Sequence, residues 1–348
     1  MSSGAEWLDT RAAERGQATD DPTVVRRLSD VEARSVDWLW PQRIARGKVS
    51  LLAGNPGLGK SQITASLAAI VTTGGQWPVD RTECRVGNAV FLSAEDDAAD
   101  TIVPRLMAAG ANLERVHKID AMRELTATGE QLRSPSLIDD LPRVSQTVAR
   151  IGGADLVVID PVTAFLGAGR VDSHNNADIR GVMLSLQEFA ERNHAAVVGV
   201  SHLSKAKQSQ AMMSVMGSLG WVAAARAVYG VFADNDSSDR RRLMLPLKNN
   251  LGDDEHGLSF EIESVEIEGG ISTSRIAWGF DPVTTSADEI YAEDDQAQSA
   301  TEEAVEFLKN TLESGPRPVP QVKKDAKDAD IAAKALRKAR EKLRIRAS

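Results

Sequence analysis

Apolar runs alternate with longer mixed stretches through the middle of the chain. Residues 154–160 and 195–201 are almost continuously apolar, which is typical of strands that are covered on both faces. Helices are predicted in the gaps between such runs. This alternation predicts an α/β fold with a mostly parallel sheet and helices on both sides. The predicted strands are residues 49–53, 88–93, 155–160, 195–201, 228–232 and 243–248, and the predicted helices are residues 61–72, 99–110, 134–151, 176–193 and 215–226.

The pattern changes towards both ends of the chain. Residues 258–262 alternate between apolar and polar positions, and Gly269-Gly270 separates them from residues 271–278, which predicts a hairpin that closes the core. Residues 281–299 are acidic and polar, which indicates a linker. We therefore divide the chain into a partly ordered N-terminal arm (1–35), a core (36–280), the linker (281–299) and a C-terminal helical module (300–348).

The composition favours a soluble globular protein. Of the 348 residues, 42% are hydrophobic and 26% are charged. The single cysteine, Cys84, excludes a disulfide or a cysteine-ligated zinc site within one chain. No apolar run resembles a signal peptide or reaches the ~20 residues of a membrane span. We therefore expect a cytoplasmic protein that does not contact a membrane.

One segment identifies a phosphate-binding loop. Gly54-Asn55-Pro56-Gly57-Leu58-Gly59-Lys60-Ser61 matches the pattern G-x-x-x-x-G-K-[ST], follows a predicted strand and precedes a helix that begins at Gln62. The glycines allow the backbone to wrap a phosphate chain with its N–H groups pointing inward, and the helix N-terminus favours an anion. Lys60 would reach the β- and γ-phosphates and Ser61 would contact Mg²⁺. The sequence therefore predicts that ATP and Mg²⁺ bind here.

Polar residues at the ends of neighbouring strands supply the remaining chemistry. Asp160 ends an apolar strand in the position of a Walker B carboxylate, where it would hold Mg²⁺ directly or through water. Three acids follow another strand at residues 95–97, and of these we favour Glu95 as the base that polarises the attacking water. His202 follows the next strand, where it would sense the γ-phosphate through a hydrogen bond or serve a structural role.

Two cations near the end of the core are candidates for a role between subunits. Arg226 is the only cation on a helix of small residues, residues 217–226, and a cation in such a helix needs a partner. It would act either as an arginine finger on the ATP of a neighbouring subunit or in a local salt bridge. Lys248, at the end of a predicted strand, is a second candidate for the finger role.

The order of these parts resembles that of the RecA-like ATPases. The nearest group is the hexameric replicative helicase RepA of broad-host-range plasmids, with its DnaB-type relatives in phages and mobile elements. The resemblance covers residues 36–280 and is carried by residues 51–61, 91–97, 157–161 and 199–205.

The resemblance implies a ring, hexameric in the helicases, with an ATP site at each subunit interface. It assigns phosphate and metal contacts to Lys60 and Ser61, the Walker B role to Asp160 and the catalytic base to Glu95. It also implies that His202 senses the γ-phosphate and that Arg226 acts on the neighbouring subunit. Arg105 would stack on adenine, unless it pairs with a nearby acid.

The resemblance also locates contacts to single-stranded DNA. Loops of about residues 166–178 and 204–216 would line the central channel, unless they are only solvated and mobile. Basic and polar residues there suit contacts to a phosphate backbone, although aromatic residues for stacking are missing. The candidates in these loops are Arg170, His174, Lys205 and Lys207.

The C-terminal module is basic although the chain has a net charge of −9. Residues 317–348 carry eleven Lys and Arg against four acids, which leaves −16 on the rest. Helices predicted at residues 301–312, 319–326 and 331–343 indicate a helix-turn-helix of winged-helix type, with a wing after Ile345 missing or very short. Lys334, Arg337 and Lys338 would contact DNA phosphates in a salt-dependent manner, or would only solvate the helix.

Three functions follow from this sequence. We favour a ring-forming ATPase that moves on single-stranded DNA, as a replicative helicase that works with other replication proteins. A regulatory ATPase that switches a protein partner is an alternative, favoured by the acidic surface and the lack of aromatic residues in the loops. A DNA-binding repressor or partition-type factor, in which the basic module binds DNA, is the third.

Overall fold

The computed structural model describes residues 25–126, 129–167, 171–173, 175–203, 211–215, 219–234, 240–313 and 315–346. The chain forms two compact units, Met1–Val36 and Asp37–Ser348. In the first unit, the described residues contain a short 3₁₀-helix at Leu28–Asp30. The second unit contains the sheet and the helices.

The strands of the second unit are β1 (Trp38–Trp40), β2 (Ile44–Ala45), β3 (Val49–Gly54), β4 (Ala89–Ser93), β5 (Val116–Lys118), β6 (Met122–Thr126), β7 (Gly129–Arg133), β8 (Leu156–Asp160), β9 (Ala196–Ser201), β10 (Ala227–Ala233), β11 (Arg242–Asn249), β12 (Gly257–Ile267) and β13 (Ile271–Val283). The α-helices are α1 (Lys60–Thr73), α2 (Val103–Ala108), α3 (Leu141–Arg150), α4 (Asn176–Asn193), α5 (Leu219–Ala224), α6 (Ala287–Leu312), α7 (Val319–Asp328) and α8 (Ala333–Lys342).

The central sheet has nine strands in the order β13-β12-β11-β10-β3-β9-β8-β4-β5. The strands from β10 to β5 are parallel to one another, and β11, β12 and β13 add to β10 as antiparallel neighbours. This confirms the predicted α/β fold with a mostly parallel sheet. β9 lies between β3 and β8, so the carboxyl ends of all three strands meet at one edge of the sheet.

Apolar side chains of the central strands are buried on both faces of the sheet. Leu51, Val157 and Ile159 pack in a core with α3 and α4. Leu52 and Val158, which alternate with them, pack with α1 in a core on the other face. The period of two along each strand therefore explains why these strands are almost continuously apolar.

The region between β5 and α3 differs from the prediction. The helix expected over residues 134–151 begins only at Leu141, because β6 and β7 form a separate antiparallel hairpin and a turn follows it. Asp140 holds this turn by accepting hydrogen bonds from the Ser136 N–H (2.8 Å) and from Arg133. The hairpin was missed because, among the described side chains of these two strands, only Met122 is buried, so its sequence lacks the apolar alternation of a half-buried strand.

The predicted linker at residues 281–299 is wrong. β13 extends to Val283, and α6 then runs without interruption from Ala287 to Leu312. Ser286 and Glu289 form a capping box that begins this helix. Ala287 and Ile290 are buried against Phe232 on β10 and neighbouring residues of β11. The helix therefore joins the core to the C-terminal module across the expected boundary.

The C-terminal module is a small bundle of α6, α7 and α8. Ala304 and Leu308 on α6 form a buried cluster with Ala335 and Ala339 on α8. Residues 329–332 connect α7 to α8, and the winged-helix type of the module stays a prediction. Among the helices of the described ranges, none is long and apolar enough to cross a membrane.

Candidate active site

A cleft of about 300 Å³ opens where β3, β4, β8 and β9 end. Because parallel strands end at the same edge, residues that follow different strands in the sequence meet here. The structure brings together most of the predicted nucleotide-site residues. Those that line the cleft are Pro56, Gly57, Gly59, Lys60, Ser61, Gln62, Glu95, Arg105, Asp160 and His202.

The phosphate-binding loop requires glycine at three positions. Gly57 and Gly59 have positive φ angles of 80° and 94°, in the left-handed region that glycine adopts readily. A Cβ atom on Gly59 would lie 2.7 Å from Cδ1 of Ile262 on β12, and one on Gly54 would lie 2.8 Å from the carbonyl oxygen of Val231 on β10. The loop is therefore a tight fit between α1 and the sheet.

Lys60 organises the inside of this loop. Its Nζ donates hydrogen bonds to the carbonyl oxygens of Gly54 (2.8 Å) and Asn55 (3.1 Å). Burial lowers the pKa of Lys60, while the negative charges of Asp160 and Glu95 act in the opposite direction. Through its bonds to the loop carbonyls, the ammonium group lies beneath the position that phosphates would occupy in such a loop. Leu58, in the same loop, packs against the core and does not line the cleft.

Ser61 and Asp160, the two residues predicted to hold Mg²⁺, lie in contact with each other. The Ser61 hydroxyl donates a hydrogen bond of 2.7 Å to Oδ2 of Asp160. Burial raises the pKa of Asp160, Asp96 and Glu95 raise it further, and the bond from Ser61 and the charge of Lys60 oppose the shift. A half-buried carboxylate beside a hydroxyl, with two further carboxylates nearby, fits a hard divalent cation that accepts oxygen ligands.

The three consecutive acids after β4 have three different environments. Asp97 caps the following helical turn, accepting hydrogen bonds from the backbone N–H groups of Asp100 and Ala99, and these bonds lower its pKa. Asp96 pairs with Arg105. Glu95 lines the cleft and makes no hydrogen bond or ion pair with any described residue. Of the three carboxylates, Glu95 is therefore the one whose oxygens remain available to a water molecule.

Arg105 lies on α2 with its guanidinium at the cleft. Its Nη1 donates to Oδ2 of Asp96 at 2.6 Å, so the pairing with a nearby acid is present. Both side chains are about 30% exposed (29% and 30%). The stacking of Arg105 on adenine stays a prediction.

His202 follows β9 and faces the same cleft. Its Nδ1 atom is buried and has no hydrogen-bond partner among the described residues. A buried ring nitrogen without a partner is unfavourable. Because this nitrogen is not accessible from the cleft, a hydrogen bond from it to the γ-phosphate would require the ring to turn, and the sensor role stays a prediction.

The hairpin of β12 and β13 is a part of the site that sequence reasoning missed. Ile262 and Ser274 line the cleft, and Ser274 accepts a hydrogen bond of 2.7 Å from Nε2 of Gln62. Trp278 donates to Ser66 on α1 at 3.0 Å. In each of these two bonds, the partners are 212 residues apart along the chain. No local sequence pattern predicts a contact between segments that far apart.

Arg226 and Lys248 lie at the opposite edge of the sheet. Arg226 directly precedes β10, which pairs with β3. In this pair, Ala227 lies beside Ser50 and Val231 lies beside Gly54. Five residue steps along the strands therefore separate Arg226 from the end of β3, which is about 17 Å. Lys248 pairs with Val228 at the same edge. Neither cation lies in the cleft of its own chain.

The predicted DNA-contact residues fall into two groups. Arg170, His174, Lys205 and Lys207 lie outside the described residues. Lys334, Arg337 and Lys338 are exposed on α8, and within the described ranges none of the three forms an ion pair. The structure therefore presents a solvent-facing basic surface on α8.

Comparison with known proteins identifies a family whose model covers the residues of the cleft from the phosphate-binding loop to His202. A family model described as "AAA domain" matches residues 12–208, more than half of the chain. No curated protein matches the chain. The matched segment includes the phosphate-binding loop, Glu95, Asp160 and His202.

Proposed function

The chain belongs to the AAA domain family of P-loop ATPases, and from this premise we propose that it is a ring-forming motor that hydrolyses ATP on single-stranded DNA. Replicative helicases of plasmids, phages and mobile elements are motors of this kind. The observation that carries the proposal is the single cleft in which Lys60, Glu95, Asp160 and His202 meet.

The residues of the cleft account for each requirement of hydrolysis. Ser61 and Asp160 would hold Mg²⁺, which supplies positive charge to the triphosphate when bound. Lys60 would transfer its hydrogen bonds from the loop carbonyls to phosphate oxygens. Glu95 would accept a proton from the attacking water at its free carboxylate. His202, which lines the cleft, would turn its ring to donate a hydrogen bond to the γ-phosphate.

The position of Arg226 supports an active site shared between subunits. Its side chain is exposed and makes no hydrogen bond or ion pair in the described part of the chain, and its backbone lies about 17 Å along the sheet from its own phosphate-binding loop. It therefore cannot reach its own ATP without a rearrangement. A second copy of the chain in a ring would bring its own Arg226 to this ATP.

The DNA-binding part of the proposal is supported by charge and placement. The loops that would line the channel leave the sheet at the same edge as the ATP cleft, because they follow β8 and β9. Coupling between ATP and DNA would then be direct. The exposed basic residues of α8 add a second surface suited to phosphates.

Unwinding of a forked DNA duplex tests this function. We expect ATP-dependent strand separation by the full chain and none by the Lys60→Ala variant, which lacks the phosphate-binding ammonium. Wild-type protein that hydrolyses ATP but neither separates strands nor moves along single-stranded DNA would contradict the proposal.

A regulatory ATPase is the second candidate, favoured by the acidic character of the chain outside its C-terminal module. To separate it and a repressor from a motor, we would replace Lys334, Arg337 and Lys338 by glutamate. Truncation at residue 300 is unsuitable because it would cut α6. A repressor would lose all DNA binding, a motor would retain DNA-stimulated hydrolysis, and a regulatory ATPase would show no stimulation before or after the change.

A further inference from the structure

The Lys248 side chain caps the end of α5. Its Nζ donates three hydrogen bonds, to the carbonyl oxygens of Val222 (2.8 Å), Ala223 (3.0 Å) and Ala225 (2.9 Å). An ammonium group has three N–H donors, so all of them are engaged. The last carbonyls of a helix otherwise lack partners. Lys248 therefore fixes the end of a helix that is only six residues long.

Arg226 is the residue that follows this capped end. Its N–H donates to the carbonyl oxygen of Val49 on β3, and its own carbonyl oxygen accepts from the N–H of Asn250, both at 3.0 Å. Its backbone is thus held on both sides, while its side chain is exposed. Lys248 and Arg226 are like charges close enough to interact, and after burial this proximity is the second cause that lowers the pKa of Lys248.

A pair of adjacent cations without an acidic partner is unfavourable for an isolated subunit. Among the described residues, neither Arg226 nor Lys248 forms a salt bridge, in a chain whose net charge is −9. An anion from outside the subunit would relieve this repulsion. Because the donors of Lys248 are engaged by carbonyls, Arg226 is the member of the pair that is free to contact such an anion.

We propose that Lys248 is a positioning residue: it locks the turn between α5 and β10 so that Arg226 points at the triphosphate bound by the neighbouring subunit. The inference rests on the proposed shared active site. It assigns to Lys248 a role through Arg226 rather than its own contact with phosphate. An arginine finger contributes about 10³–10⁵ to kcat, and a misplacement of about 1 Å can cost about 10²-fold.

The test compares full-length Lys248→Met with Arg226→Ala. We expect Lys248→Met to lower kcat for ATP about 10- to 100-fold, with KM and the binding of a fluorescent ATP analogue unchanged. Lys248→Arg, which keeps N–H donors for the carbonyls, should recover most of the activity. Lys48→Met is the matched control, because Lys48 lies at the same edge of the sheet and its Nζ pairs with Glu191 at 2.9 Å; it should retain wild-type kcat.

Mixed assemblies show on which side of the interface Lys248 acts. Lys248→Met subunits have an intact ATP site, and Lys60→Ala subunits have an intact Arg226, so mixing the slow Lys248→Met protein with the inactive Lys60→Ala protein should raise hydrolysis above that of either alone. Mixing Lys248→Met with Arg226→Ala should not. A structural defect that acts independently of Arg226 would not be complemented by the Lys60→Ala protein.

The double variant Arg226→Ala/Lys248→Met decides between positioning and direct contact. If Lys248 acts only through Arg226, the double variant is no slower than Arg226→Ala alone. A further loss would overturn the inference, as would wild-type kcat in Lys248→Met beside an inactive Arg226→Ala. Full activity of Arg226→Ala is a different result: it would overturn the shared active site itself.

Discussion

Replacing Glu95 by glutamine should stop hydrolysis without disturbing the fold. The side chain is exposed and makes no hydrogen bond or ion pair with the described residues, so the free energy of unfolding should change by less than about 0.5 kcal/mol. A general base contributes about 10²–10⁴-fold, which corresponds to about 3–5 kcal/mol in the activation free energy. ATP affinity should be retained, because the change removes a negative charge beside the triphosphate.

The assay measures kcat by phosphate release and ATP affinity by fluorescence, with Tm as a check on folding. Asp96→Asn is the matched control, because it removes the neighbouring charge and breaks the 2.6 Å pair with Arg105. It should lower kcat less than Glu95→Gln does. If Asp96→Asn is the more damaging change, or if Glu95→Gln hydrolyses ATP at the wild-type rate, the assignment of the base is wrong.

Three further predictions concern the cleft. With EDTA present and nucleotide absent, Asp160→Asn should raise Tm more at pH 8 than at pH 4. Burial raises the pKa of Asp160 in the folded protein above its usual value of 3.8, so the stability cost of the carboxyl grows as pH rises from 3.8 to the raised pKa. Equal Tm differences at both pH values would contradict this. Gly59→Ala should cost about 1–3 kcal/mol of stability and weaken ATP binding, because its φ of 94° strains any other residue and a Cβ atom would clash with Ile262. An unchanged urea midpoint together with unchanged ATP affinity would refute this prediction. Trp278→Phe should cost about 1 kcal/mol by removing the hydrogen bond to Ser66, and an unchanged urea midpoint would contradict that.

The sequence predicts the parts of the site that depend on strand ends. Apolar runs identify β3, β8 and β9, and the polar residues after them must meet because parallel strands end at one edge. This reasoning places Ser61, Asp160 and His202 correctly in the cleft. It depends only on local pattern and on the direction of the strands.

Other features depend on contacts that the local sequence does not encode. Glu95, Asp96 and Asp97 follow β4 in direct succession, so the local sequence does not show which of them is the base. The structure distinguishes them by their contacts, because Asp96 pairs with Arg105 and Asp97 caps the next helical turn. From the sequence, Lys248 is a candidate for a cation that is free to contact phosphate. In the structure, carbonyl oxygens at the end of α5 accept its hydrogen bonds. The hairpin residue Ile262 enters the cleft through long-range sheet pairing.

One error was avoidable. The acidic composition of residues 281–299 suggests a linker, but Ser286 and Glu289 have the spacing of a capping box. Composition describes solvent exposure, and the acidic residues Asp288 and Glu289 in the first turn of α6 are exposed. The helix is fixed instead by its cap and by the burial of Ile290 and Leu308 in two separate clusters.

The measurement that tests the central claim most directly is steady-state ATP hydrolysis by the full chain with and without single-stranded DNA, at low and at high salt. A DNA-tracking motor should be stimulated several-fold, and the stimulation should weaken as salt rises, because phosphate contacts release counterions. The same hydrolysis rate with and without DNA at both salt concentrations would contradict the motor and would favour a regulatory ATPase.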